Sequence, residues 1–420
     1  MRILWVKADR LLPVQNGGNI RSYHIARSLA ERHALTFFSY YRGAPDSRYE
    51  SDLREEFPRA VCQCMGASKL STPRRAVDYA WRLPQRAPYA VSRFASDPVR
   101  KKLAAWFEQA VFDVVVCDFL DAAINFPGRL TIPSVLFQHN VESEIWRRHA
   151  VESAPLKRLA YKLEFQKMLA YEESMVRKFQ HVIAVSAHDR ELMSRWVEPG
   201  CITVVPTGVD LKNFRSGEEP SGGNLVVFVG AMDWEPNVDA VEYFCGEIWP
   251  AIKKDIPSAR FRIVGRNPGR RVQKLASDSI EVTGSVPSVQ RHLQNASVVV
   301  VPLRIGGGTR LKIYEAMAMG RAVVSTSVGA EGLDVHDGQD IALADQADAF
   351  AQAVKTLLQD AALRRKLEVA AVQLAHQYDW PEIGKRFAEV LETVAEAKSE
   401  SPERGRALTQ EVLSTGESGR

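Results

Sequence analysis

The chain is poor in the residues that staple small secreted folds. Only five cysteines occur in 420 residues, Cys62, Cys64, Cys117, Cys201 and Cys245. An odd, scattered set excludes a disulfide framework and suits a reducing compartment. Cys62 and Cys64 could begin a metal site, but no second pair lies nearby, so no zinc is expected. Missing too is any run of 18 apolar residues, which excludes an ordinary membrane-spanning helix. The opening stretch from Met1 to Val6 is broken at once by Lys7, Asp9 and Arg10. It is too short and too quickly charged for a signal peptide, and a cytoplasmic location is expected. No clean G-x-G-x-x-G follows the first strand signal, which argues against a dinucleotide dehydrogenase. No paired carboxylates of the D-x-D type stand out either. Asp118 and Asp121 are three apart, but they fall in the wrong half of the chain to meet the phosphate-binding segment described below.

What is present begins with length. A chain of 420 residues exceeds what one hydrophobic core usually holds, so two domains are expected. The charge is unevenly spread: residues 1–200 carry 30 Lys and Arg against 22 Asp and Glu (+8), and residues 201–420 carry 25 against 29 (−4). Such asymmetry concerns partners rather than fold. The segments from Ile3 to Val6, Leu35 to Tyr40, Phe112 to Cys117, Ser134 to Gln138 and His181 to Ser186 read as strands. They are continuous apolar runs, as parallel strands covered on both faces require. A helix is predicted after the Gly17-Gly18 loop, with Ile20, Tyr23, Ala26 and Leu29 on one face, and another over about 143–179. The same rhythm restarts near residue 224, with Leu225 to Val229, Phe261 to Val264, Ile280 to Thr283, Ser297 to Val301, Ala322 to Ser325 and Asp340 to Ala342. The expected architecture is α/β, two Rossmann-like domains facing each other across a cleft. Expected boundaries are 1–210, 211–375, a helix over 376–397 returning to the first domain, and a polar, weakly ordered tail over 398–420.

The most informative stretch runs from Pro302 through Gly306-Gly307-Gly308-Thr309-Arg310-Leu311-Lys312 to Glu315 and Gly320. Three glycines after a buried strand permit close backbone approach. The N–H groups at the start of the following helix can receive a phosphate. Arg310 and Lys312 offer charge for a diphosphate, although alternation places them on different helix faces. Glu315, about a turn further on, suits the two vicinal hydroxyls of a ribose, because a carboxylate accepts two hydrogen bonds.

This segment resembles the donor-binding signature of retaining glycosyltransferases of the GT-B fold, the family 4 or glycosyl transferases group 1 type. Within that group it looks like a bacterial branch linked to exopolysaccharide and protein-sorting gene clusters. Gly17-Gly18, His139-Asn140-Val141-Glu142, Val205 to Asp210, Gly230-Ala231-Met232-Asp233, Val328 to Leu333 and Tyr378-Asp379-Trp380 extend the likeness along the chain. The resemblance implies a nucleoside-diphosphate sugar as donor, no cofactor, no metal, and a hexosyl group moved with retention to a glycan or lipid-linked acceptor in envelope or exopolysaccharide biosynthesis. It also implies that His139 contacts the transferred sugar. Glu142 either holds His139 or caps the next helix. Gly17 and Gly18 would approach the donor from the other side, with Gly230, Arg266 and Glu331 as further donor contacts, Glu331 alternatively as a helix cap. Gly208, Val209 and Asp210 are given an architectural role.

Two departures matter. The family's pair of glutamates has seven residues between them; Glu315 matches the second, and Gly307 stands where the first belongs. The turn from Gly230 to Asn237 lacks the Arg and Lys that many relatives use on the diphosphate, so Arg310 and Lys312 are the replacements. A nucleotide-sugar epimerase, or a non-catalytic nucleotide-sugar-binding protein, is the competing expectation. A last feature is the segment 69–102, with nine basic residues against Asp78 and Asp97 and with Tyr79, Trp81, Tyr89 and Phe94 among them. It predicts peripheral contact with an anionic inner-leaflet surface. No nucleic-acid recognition element accompanies those charges.

Overall fold

The computed structural model describes residues 1–14, 16–66, 72–152, 155–215, 217, 223–305 and 310–399, with the side chains at 72–76, 149, 152, 155–157 and 398–399 left aside. The expected glycine loop, Gly306 to Thr309, and nearly all of the expected tail therefore lie outside the described residues. The chain divides into two compact units, one of residues 1–205 with 384–420 and one of residues 206–383.

The first unit holds seven parallel strands: β1 (Arg2–Ala8), β2 (Ala34–Tyr41), β3 (Val61–Cys64), β4 (Val114–Asp118), β5 (Ser134–Phe137), β6 (His181–Ala184) and β7 (Ile202–Val204). Their order is β3-β2-β1-β4-β5-β6-β7. The chain reverses its direction of travel across the sheet between β1 and β4. At such a switch point the loops beyond the strands' carboxyl ends part and leave a crevice. The register pairs Lys7 of β1 with Asp118 of β4 at that end, so the topology alone sets a cation beside a carboxylate there. The central strands are fully buried, with Val114, Val115, Val116 and Cys117 all at 0% exposure. This is why their sequence is continuously apolar rather than alternating.

The second unit repeats the plan with β8 (Leu225–Val229), β9 (Arg260–Val264), β10 (Ile280–Gly284), β11 (Val298–Val301), β12 (Ala322–Ser325) and β13 (Ala342–Leu343). The order is β10-β9-β8-β11-β12-β13, and its switch point lies between β8 and β11. A close backbone crossing is built in at the end of β9. A Cβ on Gly265 would lie 1.7 Å from the carbonyl oxygen of Gly230, so no larger residue fits there.

The single long helix expected over 143–179 is two, Glu142–Glu152 and Pro155–Lys178. Pro155, which cannot continue a preceding helix, opens the second. The last helix runs over Trp380–Ser399 after a short 3₁₀ turn at His376–Tyr378. From Gly384 onward its residues belong to the first unit. Phe387 packs against Trp5 and Phe137 there, with ring centroids 5.6 and 5.1 Å apart, and Gly384 is small enough to rest on Ser28. At its start Trp380 fills the space beside Gly208, where a Cβ would meet the indole at 2.6 Å. Val209 donates to the Tyr378 carbonyl at 2.8 Å. The turn at Gly208 is thus architectural, as its sequence suggests. Among the described residues no helix is long and apolar enough to cross a membrane.

Candidate active site

The expected site residues fall into two groups, one in each unit. In the first unit, Gly17 and Gly18 begin the helix Gly17–Arg32, capped by Asn16, whose side chain accepts from the Asn19 N–H at 2.8 Å. The buried face of that helix carries Arg21 and Ser22 together with Ile25, Ala26 and Leu29. Polar residues on a buried face signal a task beyond packing. Ser22 donates to the Gly18 carbonyl at 2.9 Å and accepts from Lys7 Nζ at 3.1 Å. Arg21 donates to the His139 carbonyl at 3.4 Å.

His139 lies two residues beyond β5, beside the end of β4. Its Nε2 is 2.9 Å from Oδ1 of Asp118. The other carboxylate oxygen receives Lys7 Nζ at 3.1 Å and the indole N–H of Trp5 at 3.0 Å. Asp118 is completely enclosed, which opposes its ionisation, yet the Lys7 ammonium and the bond to His139 outweigh that and hold it well below the usual carboxylate range. His139 moves the other way. Burial, helped by Arg21 and Lys7 and opposed by Asp118, pushes it down to about 4. The pair at neutral pH is therefore a carboxylate and a neutral imidazole. On the imidazole's other side, a Cβ at Gly18 would come within 3.1 Å of Nδ1. Gly18 is thus needed so that the start of the helix can approach His139.

Just past the ends of these strands, two residues hold positive φ without being glycine: Asp9 (69°) after β1 and Phe119 (74°) after β4. Such backbone costs of order 1–3 kcal/mol each and gathers at functional sites. The Phe119 ring centroid is 5.2 Å from that of His139. Neither of the two roles expected for Glu142 is found. Asp118 holds His139, and the first N–H groups of the helix Glu142–Glu152 are capped by Glu172. Sequence reading missed Lys7, Arg21, Asp118 and Glu172. Among these, only Asp118 carries a sequence signal, its position at a strand end.

In the second unit, Gly230 follows β8 and its turn leads into the helix Glu235–Tyr243. Lys312 comes from the first turn of the helix Leu311–Ala318 and arrives at that turn. A Cβ at Gly230 would lie 2.9 Å from Lys312 Nζ. The ammonium donates to Asn237 Oδ1 at 2.8 Å, and Asn237 in turn donates to the Ala231 carbonyl at 2.9 Å. The base absent from the turn in sequence is supplied to it in space, and buried Asn237 is the residue that fixes it. Burial and the nearby Arg310 push Lys312 down to about 7. Arg310 occupies the N-cap position rather than the helix itself, so alternation around the helix does not separate the two cations. Its guanidinium is buried and lies 5.7 Å from the Trp234 ring.

Glu315, one turn past Lys312, is pushed up to about 7 by burial and by Asp210, against the pull of Lys312. Arg266 stands across the same turn, its Nε 3.6 Å from Asp233 and its carbonyl accepting from the Met232 N–H at 2.9 Å. Glu331 occupies the C-cap position of the short helix Ser327–Ala330, whose amino end is capped by Thr326.

Residues 223–360 match the family described as Glycosyl transferases group 1, and residues 15–213 match Glycosyltransferase Family 4. The two sheets superimpose on solved structures over nearly the whole chain. HepE of Anabaena in complex with UDP gives a TM-score of 0.67 at 15% identity, covering 94% of this chain and 100% of that one. This chain has the GT-B fold. Sucrose-phosphate synthase from Thermosynechococcus elongatus gives 0.68 at 17% identity over 94% of this GT-B chain and all of its own. By sequence, the GT-B chain is 28% identical over 204 residues to phosphatidyl-myo-inositol mannosyltransferase of Mycolicibacterium smegmatis, covering 46% of this chain and 52% of that protein. The chain thus spans about half the length of the mannosyltransferases it matches. D-inositol 3-phosphate glycosyltransferase of Frankia alni is 26% identical over 326 residues, 70% of this chain and 76% of its own.

Proposed function

We propose that this chain moves a hexosyl group from a nucleoside-diphosphate sugar to a glycan or lipid-linked acceptor, with retention of configuration and without a metal. The observation that carries the reading is the Lys312 ammonium held against Gly230 by Asn237, with Glu315 one turn behind it on the same helix. A cation at the carboxyl end of β8 addresses the diphosphate, and the carboxylate addresses the ribose. Lys312 and Arg310 stabilise the charge that grows as the bond from the anomeric carbon to the diphosphate oxygen breaks. The acceptor oxygen bonds to that carbon on the same face, and its proton passes to the departing phosphate. The glycine loop from Gly306 to Thr309, outside the described residues, is proposed to offer N–H groups to the phosphates. Arg266 and Glu331 complete the donor contacts. Neutral His139, its Nε2 2.9 Å from Asp118 Oδ1, offers a ring nitrogen to a sugar hydroxyl. A screen of UDP- and GDP-sugars against soluble and lipid-linked acceptors tests the reading. Binding of every nucleotide sugar without turnover, or interconversion of the sugar without transfer, would overturn it.

Lys312 gives the proposal a pH signature. Its depressed pKa leaves it largely uncharged in the free protein above pH 7, and a diphosphate restores the charge. Binding of UDP or GDP at pH 8 is therefore accompanied by uptake of up to about one proton, and affinity falls as the pH rises from 7 to 9. Calorimetry in two buffers of different ionisation enthalpy measures the uptake. It should vanish in Lys312→Met; equal enthalpies for the wild type in both buffers would remove Lys312 from the phosphate site.

The acceptor is further proposed to be reached from an anionic membrane surface at the inner leaflet, in envelope or exopolysaccharide biosynthesis. Supporting this are relatives whose names specify a phosphatidyl-myo-inositol acceptor and the helix Thr72–Arg82. On that helix Val77 and Trp81, four residues apart, are 68% and 81% exposed. The other aromatic residues of the segment are engaged: Tyr79 meets Tyr89 edge-on at 5.3 Å, and Phe94 is buried. Arg82 and Arg100 pair with Asp78 and Asp97. In flotation with phosphatidylserine vesicles at low salt, the wild type should rise with the lipid. A variant neutralised at Arg74, Arg75 and Arg86 with Trp81→Ala should stay below. A wild type that remains in the soluble fraction would defeat the membrane proposal alone.

A further inference from the structure

Behind His139 lies a carboxylate to which the donor and acceptor readings give no task. Glu172, in the helix Pro155–Lys178, is fully buried. Its Oε1 accepts from Gln138 Nε2 at 3.1 Å and from the Glu142 N–H at 2.8 Å, and its Oε2 accepts from the Ser143 N–H at 3.0 Å. Gln138 is the residue before His139, itself anchored by its N–H to the Ile183 carbonyl of β6 at 2.9 Å. The helix Glu142–Glu152 needs acceptors for its first N–H groups. The residue before it is Val141, whose side chain has no oxygen to offer, so the cap comes from 30 residues away. One carboxylate thus grips the short segment from Gln138 to Ser143 at both ends, with His139 between.

The arrangement is costly. Burial raises Glu172 to about 7 even with the Ser143, Glu142 and Gln138 groups donating to it, and burial, with Asp121 and Glu172 nearby, pushes the neighbouring Glu142 up to about 8. A helix cap alone needs no such burial; a serine at position 141 would serve. What a local cap cannot do is hold the side chain of Gln138 at the same time. We infer that Glu172 is a positioning residue for His139, clamping residues 138 and 142–143 so that the imidazole stays beside Asp118. This rests on the reading of His139 given above.

The test uses the full chain labelled at its nine histidines, with the His139 imidazole signal assigned by its loss in His139→Gln. In Glu172→Gln the amide places a donor where an N–H or the Gln138 amide already donates, so the clamp opens. The His139 signal should then move and its titration midpoint should shift, with the other eight signals in place. Turnover of the nucleotide sugar found by the screen should fall about tenfold or more, while UDP or GDP affinity, set in the other unit, stays within twofold. An unchanged His139 signal and turnover in folded Glu172→Gln would overturn the inference. Should that variant not fold, Gln138→Leu removes one of the three bonds, and an unmoved His139 signal there overturns it equally. His139→Ala separates the two levels. If it retains full turnover, the role of His139 itself is wrong; if it loses turnover and Glu172→Gln does not, only the clamp is.

Discussion

Asp118→Asn is expected to lower the stability of the first unit by about 3–5 kcal/mol, the usual cost of removing one partner from a buried ion pair. Lys7 is 6% exposed and Asp118 2%, so the orphaned ammonium would have neither water nor a counter-charge. The asparagine also cannot accept from Trp5, Lys7 and His139 together as the carboxylate does. Because ionised Asp118 is favoured in the folded state, its contribution is present above the pKa it has when unfolded, near 4, and is lost as the pH falls below that. Hydrogen exchange of the β1 and β4 amides, read at pH 7 in wild type and variant, measures the loss locally. Protection within about 1 kcal/mol of wild type would show the pair to be unimportant for stability. Replacing both partners together, Lys7→Met with Asp118→Leu, should recover much of the stability, since two apolar groups leave nothing unpaired. It should not recover turnover, because His139 loses the group that directs it.

Glu315→Ala is expected to weaken UDP or GDP binding on the order of 100-fold, equivalent to about 2.7 kcal/mol, if its carboxylate accepts two hydroxyls of the ribose. Removing Glu315 also deepens the depression of Lys312, whose charge it supports, and this adds to the loss at pH 8. The same change should not unfold the protein. Glu315 is raised to about 7, so in the folded state its ionisation is opposed. Its contribution to stability falls as the pH rises from about 4.5 to 7, and alanine removes that penalty. Thermal unfolding at pH 8 should therefore stay at or slightly above the wild-type midpoint while affinity collapses. A group retained at a cost to stability is what a binding role predicts. Equal nucleotide affinity in both proteins would take Glu315 out of the donor site.

The fold could be read from the order of residues because it rests on local and repetitive signals. Continuous runs such as Val114-Val115-Val116-Cys117 and Val298-Val299-Val300-Val301 can be satisfied only as strands covered on both faces. A regular alternation of strand and helix signals leaves a doubly wound sheet as the ready solution. Trp380 and Phe387, far from Gly208 and Trp5 in sequence, gave no sign of their individual partners. The division into helices Glu142–Glu152 and Pro155–Lys178 is hidden in the apolar spacing, and Pro155 is its mark.

Of the candidate site, the sequence by itself determined the residues whose place is fixed by a local signature. His139 was marked by a strand end, Gly17 and Gly18 by a helix start, and Arg310, Lys312 and Glu315 by their spacing from a glycine loop. Tertiary structure alone decided who holds them. Asp118 reaches His139 because β4 and β5 are neighbours, Lys7 reaches Asp118 through the β1–β4 register, Asn237 meets Lys312 across 75 residues, and Glu172 meets Gln138 across 34. Charge repulsion and burial also act through space, so that Lys312 is lowered and Glu315 raised toward the same pH range. A sequence states which groups can bond. Which of them lose their water together is set only when the strands are laid side by side.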